Sequence, residues 1–214
     1  VRPEPVVPAK AAPALVPFQP RRIDLLAVGA STGGPPALRA FLAALGPDWR
    51  LPVVLVQHMP PTFTAILADH LGKATSLKVV EATHGMTLEP RTVYVAPGDW
   101  HMTLRREGVT TKVVLDQNPP ENWCRPAVDP LFRSVAALYG DRALGVVLTG
   151  MGHDGREGAR AMLAKGGVVF AQDEASSVVW GMPGAVAEAG LAGLLRPVPG
   201  LAEACIKMAR GERP

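Results

Sequence analysis

The sequence predicts an α/β fold with a doubly wound, mainly parallel sheet in a Rossmann-like three-layer arrangement and an antiparallel β-hairpin insertion. Short apolar runs alternate along the chain with helix-like stretches, which is the order of βαβ units. The apolar runs are continuous, as expected for strands that are covered on both faces. The chain has 214 residues, of which 48% are hydrophobic, so it can build one such domain with its own core.

The first third of the domain reads as strand–helix units. Pro35 and Pro36 suit the first turn of a helix, because the missing N–H of proline needs no partner there. We predict strands at residues 23–28, 51–57 and 77–80, and helices at 35–45 and 61–71.

The middle of the chain changes pattern. Three short segments, 92–96, 100–105 and 110–115, alternate polar and apolar residues and are separated by turn sequences such as Pro97-Gly98-Asp99. We predict that all three are antiparallel strands with tight turns. A polar loop at 118–125 follows them.

The last third returns to alternating elements. Residues 126–139 place apolar side chains on one helical face. We predict helices at 126–139, 156–165 and 201–209 and strands at 144–148 and 167–171.

The start of the chain differs from the rest. Residues 1–22 carry six prolines among Ala and Val without a helical or strand period, which is typical of a semi-extended linker. We therefore predict an interdomain linker at 1–22 and a single catalytic domain at 23–214, and we expect a further domain in front of the linker.

Composition bounds the function. The net charge is +3, the basic residues are scattered and 5% of residues are aromatic, so nucleic-acid binding has little support. Cys124 and Cys205 have no metal-ligand spacing, which favours structural or incidental thiols in a reducing compartment. No apolar run reaches the roughly 18 residues of a membrane span, and the N-terminus lacks a signal-peptide pattern. We expect a cytoplasmic protein without membrane insertion.

Three apolar runs each lead to a side chain that can take part in nucleophilic or acid–base chemistry: Ser31, His58 and Asp154. In open parallel sheets the ligand crevice lies outside the carboxyl ends of the strands. Sequential strands are usually neighbours and lie about 4.8 Å apart, so Ser31 and His58 can meet. A serine, a histidine and an aspartate at that edge indicate a nucleophile, a base and a carboxylate that orients the base.

Each of these residues has a competing interpretation. Residues 29–33 fit G-x-S-x-G between a strand and a helix, yet a glycine-rich first turn also cradles phosphates, and from this segment alone both remain open. The dinucleotide and P-loop fingerprints fail here. Asp154 also suits a helix N-cap, and His153 beside it is a rival base. The turn at 150–152 offers a backbone N–H to an oxyanion.

Several spaced segments resemble the catalytic domain of the CheB family, the chemotaxis protein-glutamate methylesterases. The segments are Gly29-Ala30-Ser31-Thr32-Gly33-Gly34, Gln57-His58-Met59-Pro60-Pro61, Ala96-Pro97-Gly98-Asp99 with His101-Met102, Arg125-Pro126-Ala127-Val128-Asp129, Leu148-Thr149-Gly150-Met151-Gly152 with Asp154-Gly155, and Glu174-Ala175-Ser176 with Gly181-Met182-Pro183. They occur in the family's order from about residue 23 to the C-terminal region.

The resemblance implies a triad of Ser31 as nucleophile, His58 as general base and Asp154 as its orienting partner. It implies that Thr32 lines the site and that the Met151 backbone N–H helps to hold the oxyanion. The implied substrate is a glutamate γ-methyl ester on the helical cytoplasmic region of chemoreceptors, with release of methanol and, in some members, deamidation of receptor glutamines. No cofactor or metal is implied. The implied partners are the chemoreceptors and an N-terminal receiver domain, which this sequence does not contain.

Other interpretations remain at this stage. The chain could be another serine hydrolase or acyltransferase of small esters, or a non-catalytic anion-binding α/β module. A metal hydrolase using His58, His101 and His153 is a third. Four arginines could meet acidic receptor helices, although a solvated basic face explains each of them: Arg125, Arg133, Arg156 and Arg160.

Overall fold

A computed structural model describes residues 13–214 and confirms the predicted α/β class. The strands of the main sheet are β1 (Leu25–Ala30), β2 (Val53–Gln57), β3 (Lys78–Glu81), β4 (Thr92–Val95), β7 (Ala143–Val147), β8 (Val168–Gln172) and β9 (Leu194–Arg196). They lie in the order β3-β4-β2-β1-β7-β8-β9, and every neighbouring pair is parallel. The first strand is therefore central, with β2 on one side and β7 on the other.

Helices cover both faces of this sheet. The helices are α1 (Gly34–Leu45), α2 (Phe63–Ala74), α3 (Val128–Tyr139), α4 (Arg156–Ala164), α5 (Met182–Glu188) and α6 (Val198–Ala209), with a short 3-10 turn at Gly140–Arg142. One apolar cluster joins α1, α2 and α6 to the sheet, and a second joins α3, α4 and α5 to the opposite face. This gives the predicted three layers.

The central strand shows why its sequence is continuously apolar. All six residues of β1 are buried. Leu26 and Val28 belong to one apolar cluster, whereas Leu25 and Ala27 belong to the other, because successive side chains of a strand point to opposite faces. Each buried leucine contributes about 1.5–3 kcal/mol relative to an exposed one, so this strand anchors both layers.

The prediction of three antiparallel strands is wrong for residues 92–96. Strand β4 pairs in parallel with β2 and β3 in the main sheet, and all four of its residues are buried. The prediction was wrong because a four-residue strand next to a turn, here at 97–99, has the same local sequence pattern as a strand of a hairpin. The antiparallel pair consists of β5 (His101–Glu107) and β6 (Thr110–Asp116) alone.

The C-terminal third contains two elements that the sequence did not predict. Helix α5 has seven residues, too few to show a helical period. Strand β9 has three residues at the edge of the sheet, which leaves no recognisable strand pattern. Both help to bury the last parallel strands.

Part of the predicted linker at 1–22 can be followed, since only residues 1–12 lie outside the described range. The Val16 N–H donates a 2.8 Å hydrogen bond to the Ala192 carbonyl. The ring of Phe18 packs on Phe170 with centroids 5.4 Å apart. The segment therefore lies against the domain, while the boundary at residue 23 stays a prediction. Among residues 13–214 no helix has the length and apolarity that crossing a membrane requires.

Candidate active site

The carboxyl edge of the sheet brings Ser31 and His58 side by side. Ser31 directly follows β1 and His58 directly follows β2. The preceding residues, Ala30 and Gln57, are paired in register, and the His58 N–H donates to the Ala30 carbonyl at 3.1 Å. The two residues predicted from their strand ends are thus neighbours across adjacent strands.

Asp154 reaches this edge by a different route. Strand β7 ends at Val147, so Asp154 follows it only after a loop. The first residues of this loop continue alongside β1, where the Ser31 N–H donates to the Thr149 carbonyl at 3.0 Å. A Cβ on Gly150 would lie 2.9 Å from the Ser31 Cβ, closer than real Cβ contacts allow, so the close approach requires a glycine.

The Asp154 carboxylate holds His58 from one side. Its Oδ2 lies 2.7 Å from His58 Nε2, and the aspartate is 2% exposed. The carboxylate also accepts four other hydrogen bonds, from the backbone N–H groups of Val128, Asp129 and Gly155 and from the Asn122 amide. So many donors fix both the position and the negative charge of the carboxylate.

Helices α3 and α4 each have a carboxylate near their N-terminus, and each carboxylate accepts hydrogen bonds from N–H groups at the start of the other helix. Asp154, just before α4, accepts from Val128 N–H at 2.6 Å at the start of α3. Asp129, at the start of α3, accepts from Gly155 N–H at 3.0 Å and Gly158 N–H at 2.6 Å at the start of α4. The N-terminus of each helix thus faces a carboxylate, which its dipole favours.

The two carboxylates have opposite pKa shifts. Burial acts to raise the pKa of Asp154, but the hydrogen bond and charge of His58 and the backbone donors outweigh burial and lower it. Burial, and then the negative charge of Asp154, raise the pKa of Asp129. Asp154 is therefore the carboxylate that stays ionised beside the histidine.

A four-residue turn at 121–124 completes the surroundings of the pair. Asn122 Nδ2 donates to Asp129 Oδ2 and to Asp154 Oδ1, each at 2.8 Å. Glu121 and Cys124 exchange backbone hydrogen bonds, and Asn122 and Trp123 have φ angles of 52° and 64°. These are the features of a two-residue type I′ turn.

The same turn places a thiol against the second ring nitrogen of His58. Cys124 Sγ lies 3.4 Å from His58 Nδ1. Burial acts to lower the pKa of His58, but hydrogen bonds and charge from Asp154 and Cys124 raise it to about 9. Since Asp154 occupies Nε2, proton exchange with a substrate or with Ser31 has to use Nδ1, in competition with the Cys124 thiol.

Several hydrogen-bonding groups at and near Ser31 have no partner in the described part of the protein. Within residues 13–214 the Ser31 hydroxyl forms no hydrogen bond, and neither the Thr32 N–H nor the Met151 N–H has a protein acceptor. Thr32 is exposed two residues before α1, and Met151 is 72% exposed in the loop that follows β7. These N–H groups are free to donate to an incoming oxygen.

The rival histidines do not join the site. Both ring nitrogens of buried His101 are used, by the Pro119 carbonyl at 3.1 Å and by the Ala127 N–H at 3.2 Å. His153 is exposed. Over the described part of the chain, no three His, Cys, Asp or Glu side chains gather as metal ligands.

Three residues at the site were missed from the sequence: Asn122, Cys124 and Asp129. Cys124 was expected to be a structural or incidental thiol, yet it contacts the predicted base. An Asn before the exposed Trp of a polar loop is a weak turn signal, and Asp129 lies in the first turn of α3, where carboxylates are common. Neither signal reveals that the two residues meet Asp154.

Comparisons with known proteins place the chain in a family. The CheB methylesterase family model matches residues 26–205. The chain is 56% identical over 190 residues to a protein-glutamate methylesterase/protein-glutamine glutaminase of Maricaulis maris, covering 89% of this chain and 47% of the relative. A Caulobacter vibrioides relative of the same name is 53% identical over 192 residues, covering 89% of this chain and 55% of the relative.

A solved structure shares the fold. The crystal structure of the Thermotoga maritima CheB methylesterase catalytic domain superposes with a TM-score of 0.85 at 39% identity, covering 87% of this chain and 98% of that one. The chain thus has the α/β fold of that catalytic domain. The chain belongs to the CheB methylesterase family, and it spans about half the length of the curated relatives it matches.

Proposed function

We propose that this domain hydrolyses γ-methyl esters of glutamate side chains on proteins, with Ser31, His58 and Asp154 as the catalytic triad. The observation that carries the proposal is the 2.7 Å contact of Asp154 with His58 beside a serine whose hydroxyl has no partner in the described protein. The names of the relatives support the same substrate.

The proposed reaction begins at the serine. The Ser31 Oγ attacks the ester carbonyl and His58 Nδ1 takes its proton, while Asp154 stabilises the imidazolium through Nε2. The Thr32 and Met151 N–H groups donate to the oxyanion of the tetrahedral intermediate. These donors cost no reorganisation, because no protein acceptor has to be displaced from them.

The intermediate then collapses in two stages. Methoxide is a poor leaving group, so His58 returns the proton to it as the C–O bond breaks, and methanol leaves. A water molecule, deprotonated by His58, attacks the Ser31 acyl-enzyme, and His58 gives that proton to Ser31 Oγ as the glutamate carboxylate is released. The same steps on a glutamine side chain release ammonia, so glutaminase activity on protein glutamine belongs to the proposal.

The proposed substrates are methylated glutamates of chemoreceptor cytoplasmic domains. The proposed regulatory partner is a receiver domain preceding this domain in the full-length protein, and the proposed location is the cytoplasm at receptor arrays. These assignments follow from family membership and from the proline-rich composition of residues 1–22.

The test is methanol release from a methylated chemoreceptor fragment. The parent chain should release methanol, and Ser31→Ala should lose at least about three decades of turnover, as triads do when the nucleophile is removed. Ser76→Ala, an exposed serine after α2, is the matched control and should equal the parent. Equal release by the parent and Ser31→Ala would overturn the proposal.

A further inference from the structure

The exposure and backbone conformation of Trp123 do not contribute to the stability of the fold. Its side chain is 99% exposed, and its φ of 64° lies in the left-handed region, which glycine and asparagine accept and bulky residues avoid. A large apolar side chain in that conformation, without burial in return, costs stability. Such an arrangement persists where function requires it.

The turn that carries Trp123 is fixed on its other positions. The two terminal guanidinium nitrogens of Arg133 each donate to Glu121 at 2.6 Å. Asn122 binds the two buried carboxylates at 2.8 Å, and Cys124 contacts His58 at 3.4 Å. The tryptophan is therefore held out from a rigid turn, one residue from the group that touches the base.

Two other exposed apolar side chains border the same reaction centre. Met151, 72% exposed, follows Gly150, where an added Cβ would lie 2.9 Å from the Ser31 Cβ. Val178, 71% exposed, lies against Gly33, two residues after Ser31. Exposed apolar side chains on three segments that contact the site are typical of a surface that binds a partner.

We propose that Trp123 is a specificity-determining residue that packs on apolar side chains flanking the methylated glutamate of the substrate protein, with Met151 and Val178 completing the contact. This inference rests on the proposed function, which makes the substrate a protein instead of a free ester. A glutamate ester on a helix brings its neighbours at three and four residues' spacing to the same surface. Those neighbours meet the rim when the ester reaches Ser31.

The contact should change affinity for the protein substrate without changing the chemistry. Tryptophan is enriched among the few residues that dominate interface affinity. Trp123→Gly removes the side chain and relieves the left-handed backbone, so its melting temperature should not fall below that of the parent. Trp123→Phe keeps an aromatic contact.

The test measures binding in a chain that cannot turn over. In the Ser31→Ala background, Trp123→Gly should raise the Kd for a methylated chemoreceptor fragment at least about tenfold, and Trp123→Phe should stay near the parent value. In the active chain, Trp123→Gly should leave kcat/KM for 4-nitrophenyl acetate unchanged. Val109→Ser is the control, because Val109 is 95% exposed at the β5–β6 turn. This turn lies about 20 Å along the hairpin from His101, whose ring accepts from the Ala127 N–H.

The outcomes separate the two proposals. Loss of affinity on Trp123→Gly together with absent methanol release by the parent would refute the esterase and keep the docking contact. Unchanged Kd for Trp123→Gly would refute the docking contact and leave the esterase intact. Failure of the Ser31→Ala chain to bind the fragment, or an equal loss of activity on 4-nitrophenyl acetate, would also overturn it.

Discussion

Replacing Cys124 by alanine should raise the proposed esterase activity at neutral pH. The thiol sulphur lies 3.4 Å from His58 Nδ1, the nitrogen that must accept the Ser31 proton in the proposed mechanism. It also helps to raise the His58 pKa to about 9. Removing it therefore both frees Nδ1 and lowers the pKa of the base.

The size of the effect follows from the fraction of neutral imidazole. With a pKa of about 9, only about 1% of His58 is neutral at pH 7. A hydrogen bond to a charged group contributes about 1.5–3 kcal/mol, and each pKa unit corresponds to about 1.4 kcal/mol. Loss of the thiol should lower the pKa by at least roughly one unit, which raises the neutral fraction at pH 7 at least about tenfold.

The assay is the pH dependence of kcat/KM for methanol release. The parent should rise with pH to a midpoint near 9, and Cys124→Ala should rise with a midpoint at least about one unit lower. Cys124→Ser is the matched variant, since a hydroxyl of similar size keeps a hydrogen bond to Nδ1. An unchanged midpoint in Cys124→Ala would refute the proposed role of the thiol.

Three further predictions concern the frame of the site. Asn122→Gly keeps the turn backbone but leaves Asp129 Oδ2 without its single side-chain donor, so urea unfolding should show a loss of about 1–3 kcal/mol; undiminished stability would contradict this. Gly150→Ala should lower kcat at least about tenfold at a near-native circular dichroism spectrum, because the new Cβ meets Ser31 at 2.9 Å; full activity would argue against the tight approach. The pKa of Asp154 is lowered, so its ionised form stabilises the fold above about pH 4, and this stabilisation is lost as the pH falls further. The melting temperature should therefore fall less steeply below about pH 4 in Asp154→Asn than in the parent. The same steepness in both proteins would refute this role of Asp154.

Those features of the fold that depend on local sequence patterns could be predicted from the sequence. Continuous apolar runs predicted buried parallel strands, and the residues directly after β1 and β2, Ser31 and His58, lie together as their strand ends required. The misplacement of residues 92–96 has a simple cause. A four-residue buried strand next to a turn carries the same local signal whether its partner is parallel or antiparallel, and only the neighbouring strands β2 and β3 decide.

The surroundings of the predicted triad were beyond sequence reasoning. Asn122, Cys124 and Asp129 each have ordinary local interpretations as a turn residue, a thiol and a first-turn carboxylate. Their contacts arise because α3 and α4 pack so that each start faces the other's carboxylate. Contacts between segments that are distant along the chain produce no periodic pattern in the sequence, so they could not be predicted from it. The exposure of Trp123 likewise depends on a turn type that needs two positive φ angles.

The reciprocal carboxylates of α3 and α4 have a consequence for how the molecule opens. Asp154 cannot leave His58 without also releasing the first N–H groups of α3, and Asp129 cannot move without releasing those of α4. The amide protons of Val128, Asp129, Gly155 and Gly158 should therefore exchange with solvent only at the rate of global unfolding. The orienting carboxylate and the helix pair then form one cooperative unit, and heat should destroy activity and fold at the same temperature.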